Sequence, residues 1–309
     1  MMSKETHSWA DQSPYECFYD FIDPEADRFG ILLDKINNLR LNSIVITVEN
    51  NRHFFIFPRA MDIKHFSGGA FPFREQNPVV LTAHYDRVAG SPGANDNSAA
   101  VFLLLKAAIV LNRRNIGHWI IIFTDKEELI TGEGIRKQGS FSLALKLRQW
   151  GLSRAQIFNF DACGTGDAFV FSSTTDYLLN KNPTPGLQRA NHSITFLRDK
   201  AYKTAGRLNL KKALSVPVPF SDDAGFLKGG IPSQTITMLP ADEADSYAAL
   251  LHDHPEFIDM IIAGSNKISA IHQLVPETWR CINGPLDCHE RLTPEHYDDI
   301  VRFAAELCR

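Results

Sequence analysis

The chain has 309 residues, 44% of them apolar and 22% charged, the profile of a globular protein able to bury its own core. With 36 acids against 32 bases the net charge is −4, which gives no electrostatic reason to expect nucleic acid or an anionic membrane as partner. Cys17, Cys163, Cys281, Cys288 and Cys308 form an odd, sparse set without C-x-x-C spacing, so a reducing, cytoplasmic location is expected rather than a disulfide framework.

Residues 1–13 read as a loose leader without the basic-then-apolar pattern of a signal peptide, and no apolar run reaches the roughly 18–20 residues of a membrane span. The spacing of Phe29, Leu32, Leu33, Ile36 and Leu39 predicts a helix within Pro24–Leu41. Two β-branched or aromatic runs, Ser43–Val48 and His53–Phe57, flank Glu49-Asn50-Asn51-Arg52 and predict a hairpin. Residues 62–77, rich in Gly, Pro and Phe, read as a loop. Pro78–Ala83 is a buried-strand run, followed at once by His84-Tyr85-Asp86. Asn97–Asn112 reads as a helix with Asn95 or Asp96 as its N-cap. His118–Thr124 is apolar enough for a strand covered on both faces. Ser140–Trp150 reads as a helix ending at Gly151, and Gln156–Asp161, Ala168–Ser172 and Gln234–Leu239 as strands. Asp259–Leu274 and Pro294–Leu307 complete the pattern as helices, while 176–215 is the least legible stretch and reads as a possible insertion over the site. Strands alternating with helices predict one α/β domain spanning 1–309, a three-layer sandwich around a mixed, mainly parallel sheet with helices on both faces.

In such a fold ligands bind beyond the carboxyl ends of the strands. Three predicted strands end in metal-binding groups: one in His84-Tyr85-Asp86, one in Asp125-Lys126-Glu127-Glu128 and one in Asp161. The loop before the first long helix adds Asp96 at the same edge. Zinc accepts imidazole nitrogen and carboxylate oxygen, and a two-metal centre needs a bridging carboxylate, a role that suits Asp96. Glu127 and Glu128 suit a division of labour between general base and metal ligand. Asp86 is placed to hydrogen-bond the far ring nitrogen of His84 and so fix its tautomer.

His84-x-Asp86, Gly93-Ala94-Asn95-Asp96-Asn97, the stretch from Phe123 through Glu127-Glu128 to Gly139-Ser140, and Asn159-Phe160-Asp161 together resemble the co-catalytic zinc aminopeptidases. That family includes the bacterial leucyl aminopeptidases, aminopeptidase Y and, as a divergent branch, the glutaminyl cyclases. Ser221-Asp222-Asp223 with Gly230-Ile231-Pro232 resembles a later segment of the same family, and the likeness runs from about residue 78 to the C-terminus. The resemblance implies one zinc on His84, Asp96 and Asp161, a second on Asp96, Glu128 and a late histidine, and Glu127 as general base. It also implies a short peptide or amino-acyl substrate, and hydrolysis by metal-activated water.

Two positions depart from the family pattern. Asn283 stands where the late histidine is expected, and Asp223 where the family has histidine after Ser-Asp. An amide oxygen is a weak, neutral zinc ligand, so the second site is expected to bind metal weakly. His289 could replace it only in another loop register, and Cys281, a lone cysteine, fits a small buried hydrophobe better than a ligand. His252 and His254 fit a polar surface turn, and Asp222-Asp223 fit the start of a helix through its dipole. The runner-up readings are a single-zinc glutaminyl cyclase and a non-catalytic, peptide-binding relative.

Overall fold

The computed structural model describes residues 15–63, 77–130, 132–262 and 274–309. The predicted leader, most of the 62–77 loop and the later part of the predicted 259–274 helix lie outside the described residues.

An eight-stranded sheet carries the fold, in the order β1-β2-β4-β3-β5-β8-β6-β7. The strands are β1 (Asn42–Val48), β2 (Asn51–Phe57), β3 (Val79–His84), β4 (Trp119–Thr124), β5 (Gln156–Phe160), β6 (Ala168–Ser172), β7 (Lys212–Val216) and β8 (Ser233–Leu239). The central pairs β3–β4, β3–β5 and β5–β8 are parallel, as is β6–β7; β1–β2, β2–β4 and β6–β8 are antiparallel. The β1–β2 hairpin turns on two residues, Glu49 and Asn50, at φ 48° and 74°. That left-handed pair matches the twist of the flanking strands.

Side chains alternate across the central strands and both sets are buried, so the sheet is covered on each face. Val79, Leu81 and Ala83 of β3, with Ile121 and Phe123 of β4, pack under α1 (Phe18–Ile22), α2 (Arg28–Asn38), α3 (Ala99–Arg113) and α11 (Tyr297–Leu307). Val80, Ile120, Ile122 and Ile157 face the other way, against α4 (Gly139–Gln149) and α7 (Asp222–Gly229). A third cluster joins Val170 and Leu239 to α8 (Ala241–Asp253), α9 (Phe257–Ile262) and Trp279 of α10 (Glu277–Arg280). The apolar stretch Ala94–Arg113 is long enough to cross a membrane by length and composition, but it is 83% buried against the sheet and α11.

Several elements depart from expectation. The predicted helix within Pro24–Leu41 is shorter: α2 begins at Arg28 because the Asp27 side chain caps it, accepting from the Gly30 N–H. Neither Asn95 nor Asp96 caps α3, which starts at Ala99 after an irregular turn over Ala94–Ser98. The stretch 176–215 holds most of α5 (Thr174–Lys181), then α6 (Pro185–Arg207) and the edge strand β7. Leu197, Ala201 and Ala205 of α6 join the main core, and the Phe171 and Tyr202 rings meet edge to face at 4.9 Å. All five cysteines are free.

Candidate active site

The parallel register aligns the carboxyl ends of three central strands. His84 pairs with Thr124, and Thr82 pairs with Asn159 two residues before Asp161. The chain then turns abruptly at the two neighbouring ends: Lys126 lies at φ 60° and Ala162 at φ 50°. Both are non-glycine residues in the left-handed region, each costing of order 1 kcal/mol. These turns direct Glu127, Glu128 and Asp161 toward one space.

His84 sits at the centre of that space, fully buried. Its Nε2 lies 2.9 Å from Asp96 Oδ1 and 3.8 Å from Asp161 Oδ1, and its Nδ1 lies 3.4 Å from Asp86 Oδ1. None of these approaches has hydrogen-bond alignment, so both ring nitrogens are buried without a partner, as is Glu128 Oε1. Donor atoms of His84, Asp96 and Glu128 all lie within 4.8 Å of one another. Asp86 also receives the backbone N–H groups of Glu127 and Glu128, at 3.1 and 3.0 Å, which fixes the start of that loop beside the imidazole.

The cluster opens on a cavity of about 550 Å³, within the usual size range of small-ligand sites. Five carboxylates line it, Asp96, Glu127, Glu128, Glu133 and Asp161, and among the described residues no Lys or Arg does. Its apolar wall includes Leu129, Ile135, Phe220, Val275 and Trp279. The electrostatics report the excess of negative charge. Burial, with the Glu128 carboxylate beside it, drives Glu127 well above the ordinary carboxyl range; burial, with Asp96 nearby, pushes Glu128 up to about 9. Burial and Asp161 together raise Asp96. Burial alone would lower His84, but Asp161, Asp86 and Asp96 raise it well above its ordinary value.

Residues to which the sequence assigned no role hold this arrangement. Gln138 Nε2 donates to Glu127 Oε1 at 3.0 Å and to the Ser221 carbonyl at 3.3 Å, so Gln138 ties the candidate base to the start of α7. Asp287 accepts the backbone N–H groups of Asn95 and Asp96 at 2.7 and 3.1 Å. Asn159 links Thr82 to Ser221, accepting at 2.9 Å and donating at 3.0 Å. Their sequence signal was a motif in or beside which they stand: Asn159 opens Asn159-Phe160-Asp161, Gln138 precedes Gly139-Ser140, and Asp287 follows Asn283.

Asn283, at φ 62°, lines the same cavity as Asp96 and Glu128. Neither suggested substitute lies on its wall. Cys281 lines a smaller neighbouring cavity with Asn95 and Asp287. The His289 ring packs edge to face on Tyr19 at 5.0 Å. His252 and His254 are exposed at the end of α8, away from the cluster. Asp222 and Asp223 do begin α7, but both are buried: Asp222 accepts from the Thr124 hydroxyl and Asp223 from the Ser221 N–H at 2.8 Å.

The profile of peptidase family M28 matches residues 68–272 of the chain. The chain belongs to peptidase family M28. Known structures of similar fold agree with that membership. The zinc aminopeptidase BSAP from Bacillus subtilis superposes with a TM-score of 0.52 at 19% identity, covering 83% of this chain and 49% of its own. LapB from Legionella pneumophila gives 0.54 at 14% identity, with 96% and 65% covered. The glutaminyl cyclase of Porphyromonas gingivalis gives 0.58 at 15% identity and covers 96% of both chains. This M28 chain therefore spans about half the length of BSAP but nearly all of the cyclase. No curated protein sequence matches it.

The donor set of this family member fits a divalent cation. Unpartnered buried imidazole and carboxylate atoms converge, the described lining carries no Lys or Arg, and nitrogen with oxygen ligands suits zinc.

Proposed function

We propose that the protein is a zinc-dependent exopeptidase, most simply an aminopeptidase acting on short peptides. One observation carries this reading: buried His84 and Asp96 meet half-buried Glu128 and Asp161 at the floor of the cavity, with Glu127 at its edge. His84, Asp96 and Asp161 would hold one ion, and Asp96, Glu128 and Asn283 would offer a weaker second position. A zinc ion bound there supplies Lewis-acid activation of water and of the peptide carbonyl.

The chain's own groups supply the rest. Glu127 takes a proton from the attacking water and returns it to the leaving amine, and burial has already raised its proton affinity toward that of such a group. Gln138 orients Glu127 through the 3.0 Å hydrogen bond, leaving Glu127 Oε2 for the water. The five lining carboxylates attract the substrate's free ammonium, while Phe220, Ile135 and Trp279 exclude water around its side chain.

Elemental analysis of purified protein is expected to find one zinc per chain, and Glu127→Gln to keep that zinc while losing at least about 100-fold of turnover on amino-acyl p-nitroanilides. Full activity of the metal-free protein would sink the proposal. A second reading, cyclisation of N-terminal glutamine, draws support from the 96% mutual coverage with the cyclase fold. Ammonia release from a glutaminyl peptide without peptide-bond cleavage would favour it.

A further inference from the structure

The acidic cavity does not stand alone. A second groove, of about 770 Å³, shares Ile135, Phe220 and Ala224 with it and runs on between α4, the first turns of α6 and the end of α7. Its charge is of the opposite sign. Arg148, Arg189 and Lys228 line it, and among the described residues no acidic one does. All three are exposed, and among the described residues none is in an ion pair. Arg148 is held in place: its Nη1 donates to the Gly229 carbonyl at 3.2 Å, at the C-terminal end of α7. The opposite wall is the beginning of α6, the positive end of a 23-residue helix.

We propose that this groove receives the free α-carboxylate of the peptide substrate, making the enzyme selective for short peptide acids. The inference rests on the exopeptidase reading and extends it to the other end of the substrate. The spacing suits it. Ala224 borders both spaces, and Lys228 lies one helical turn further along α7, a rise of about 6 Å. Two extended residues span about 7 Å, so a tri- or tetrapeptide with its ammonium among the cavity carboxylates reaches the cations with its carboxylate. An elongated zwitterion is complementary to a cleft acidic at one end and basic at the other. A longer chain, or a C-terminal amide, forfeits the second anchor.

The test compares tri- and tetra-alanine with their C-terminal amides. For the zinc-loaded enzyme kcat/KM is expected to favour the acids by about fivefold, carried by KM, as suits a carboxylate meeting exposed cations. The preference should vanish in the double variant Arg189→Glu/Lys228→Glu, with hydrolysis of the amides unchanged. Raising salt from about 0.05 to 0.5 M should erase it in the unaltered protein too, since exposed charges are screened. Equal rates for acid and amide, or a preference that survives charge reversal, overturn the inference. Calorimetric binding to zinc-loaded Glu127→Gln, with and without the two charge reversals, separates the two readings. Discrimination in binding without turnover in the unaltered enzyme would fault the exopeptidase reading alone; turnover without discrimination would fault the groove alone. Binding of neither peptide, with no turnover, would fault both.

Discussion

Asp287 shows how much a single carboxylate can organise. It is buried, and burial, with the Asp96 charge close by, raises it to about 7. Its two oxygens nonetheless take the N–H groups of Asn95 and Asp96, and its own N–H returns to the Gly284 carbonyl at 3.0 Å. The loop bearing Asn283 is thereby tied to the loop bearing Asp96. In Asp287→Asn one oxygen becomes an NH₂ group facing an N–H, so Asp96 loses its fixed position. Zinc affinity is expected to fall about 10- to 100-fold by competition with a chelator, the usual effect of losing a partner that orients a ligand. Unchanged affinity would remove Asp287 from this role. His53 makes a different point. Its Nδ1 accepts the Asp125 N–H at 3.2 Å, its Nε2 is buried unpaired, and burial lowers it from 6.5 to about 4. Between those values the unfolded chain binds a proton that the folded one refuses, so stability rises with pH through the window and falls on acidification. The loss is about 2 kcal/mol from pH 6.5 to 5. Urea titrations at pH 7 and pH 5 should show a smaller drop for His53→Leu than for the unaltered protein; equal drops would refute it.

At the scale of elements, α4 and α7 cross unusually closely, and small residues permit it. A Cβ on Gly225 would lie 2.1 Å from Ser140 Oγ and 2.8 Å from the Phe141 N, and one on Gly229 would lie 2.4 Å from Ala144 Cβ. The crossing brings Ser221, at the start of α7, within reach of Gln138, at the start of α4, and so within reach of Glu127. Gly225→Ala should cost about 1–3 kcal/mol through overpacking. It should also lower turnover by displacing Gln138, while zinc content stays constant. A thermal melt beside a rate measurement checks both. Periodicity exposed the strands well, because strands buried on both faces read as continuous apolar runs, as Trp119–Thr124 does. It also placed His84, the Glu127-Glu128 pair and Asp161 at strand ends. The α4–α7 crossing was not legible, since a tight contact between glycine and serine leaves no apolar signal. Asp96 was legible in two roles, helix cap and bridging ligand, and sequence alone did not choose between them: a carboxylate before a helix looks the same whether it caps the helix or turns to an imidazole 2.9 Å away. The stretch 176–215 misled because α6 is polar on most of its 23 residues and buries only a narrow stripe.

For the whole molecule, the concentration of buried acids at one sheet edge predicts a fold that leans on its cation. Ligand bound only to the native state stabilises it by about 2.7 kcal/mol at 100 times Kd. The melting temperature is expected to rise by several degrees on adding zinc and to fall on adding a chelator. His84→Ala should abolish the response. A melt indifferent to zinc would argue against a site at this edge.

Arg28 lies on α2, ahead of the stretch that matches the family profile. It is buried, stacks over the Phe21 ring at 4.2 Å, donates to the Asp86 carbonyl at 3.0 Å and reaches the Ser98 hydroxyl. Asp287 lies beyond the other end of the matched stretch and grips the same Asp96 turn from the opposite side. The acids of the candidate site thus fall within the matched stretch, while both clamps on the turn that carries Asp96 lie outside it. A chain trimmed to the matched segment would keep every candidate acid and lose the vice that holds Asp96 in place.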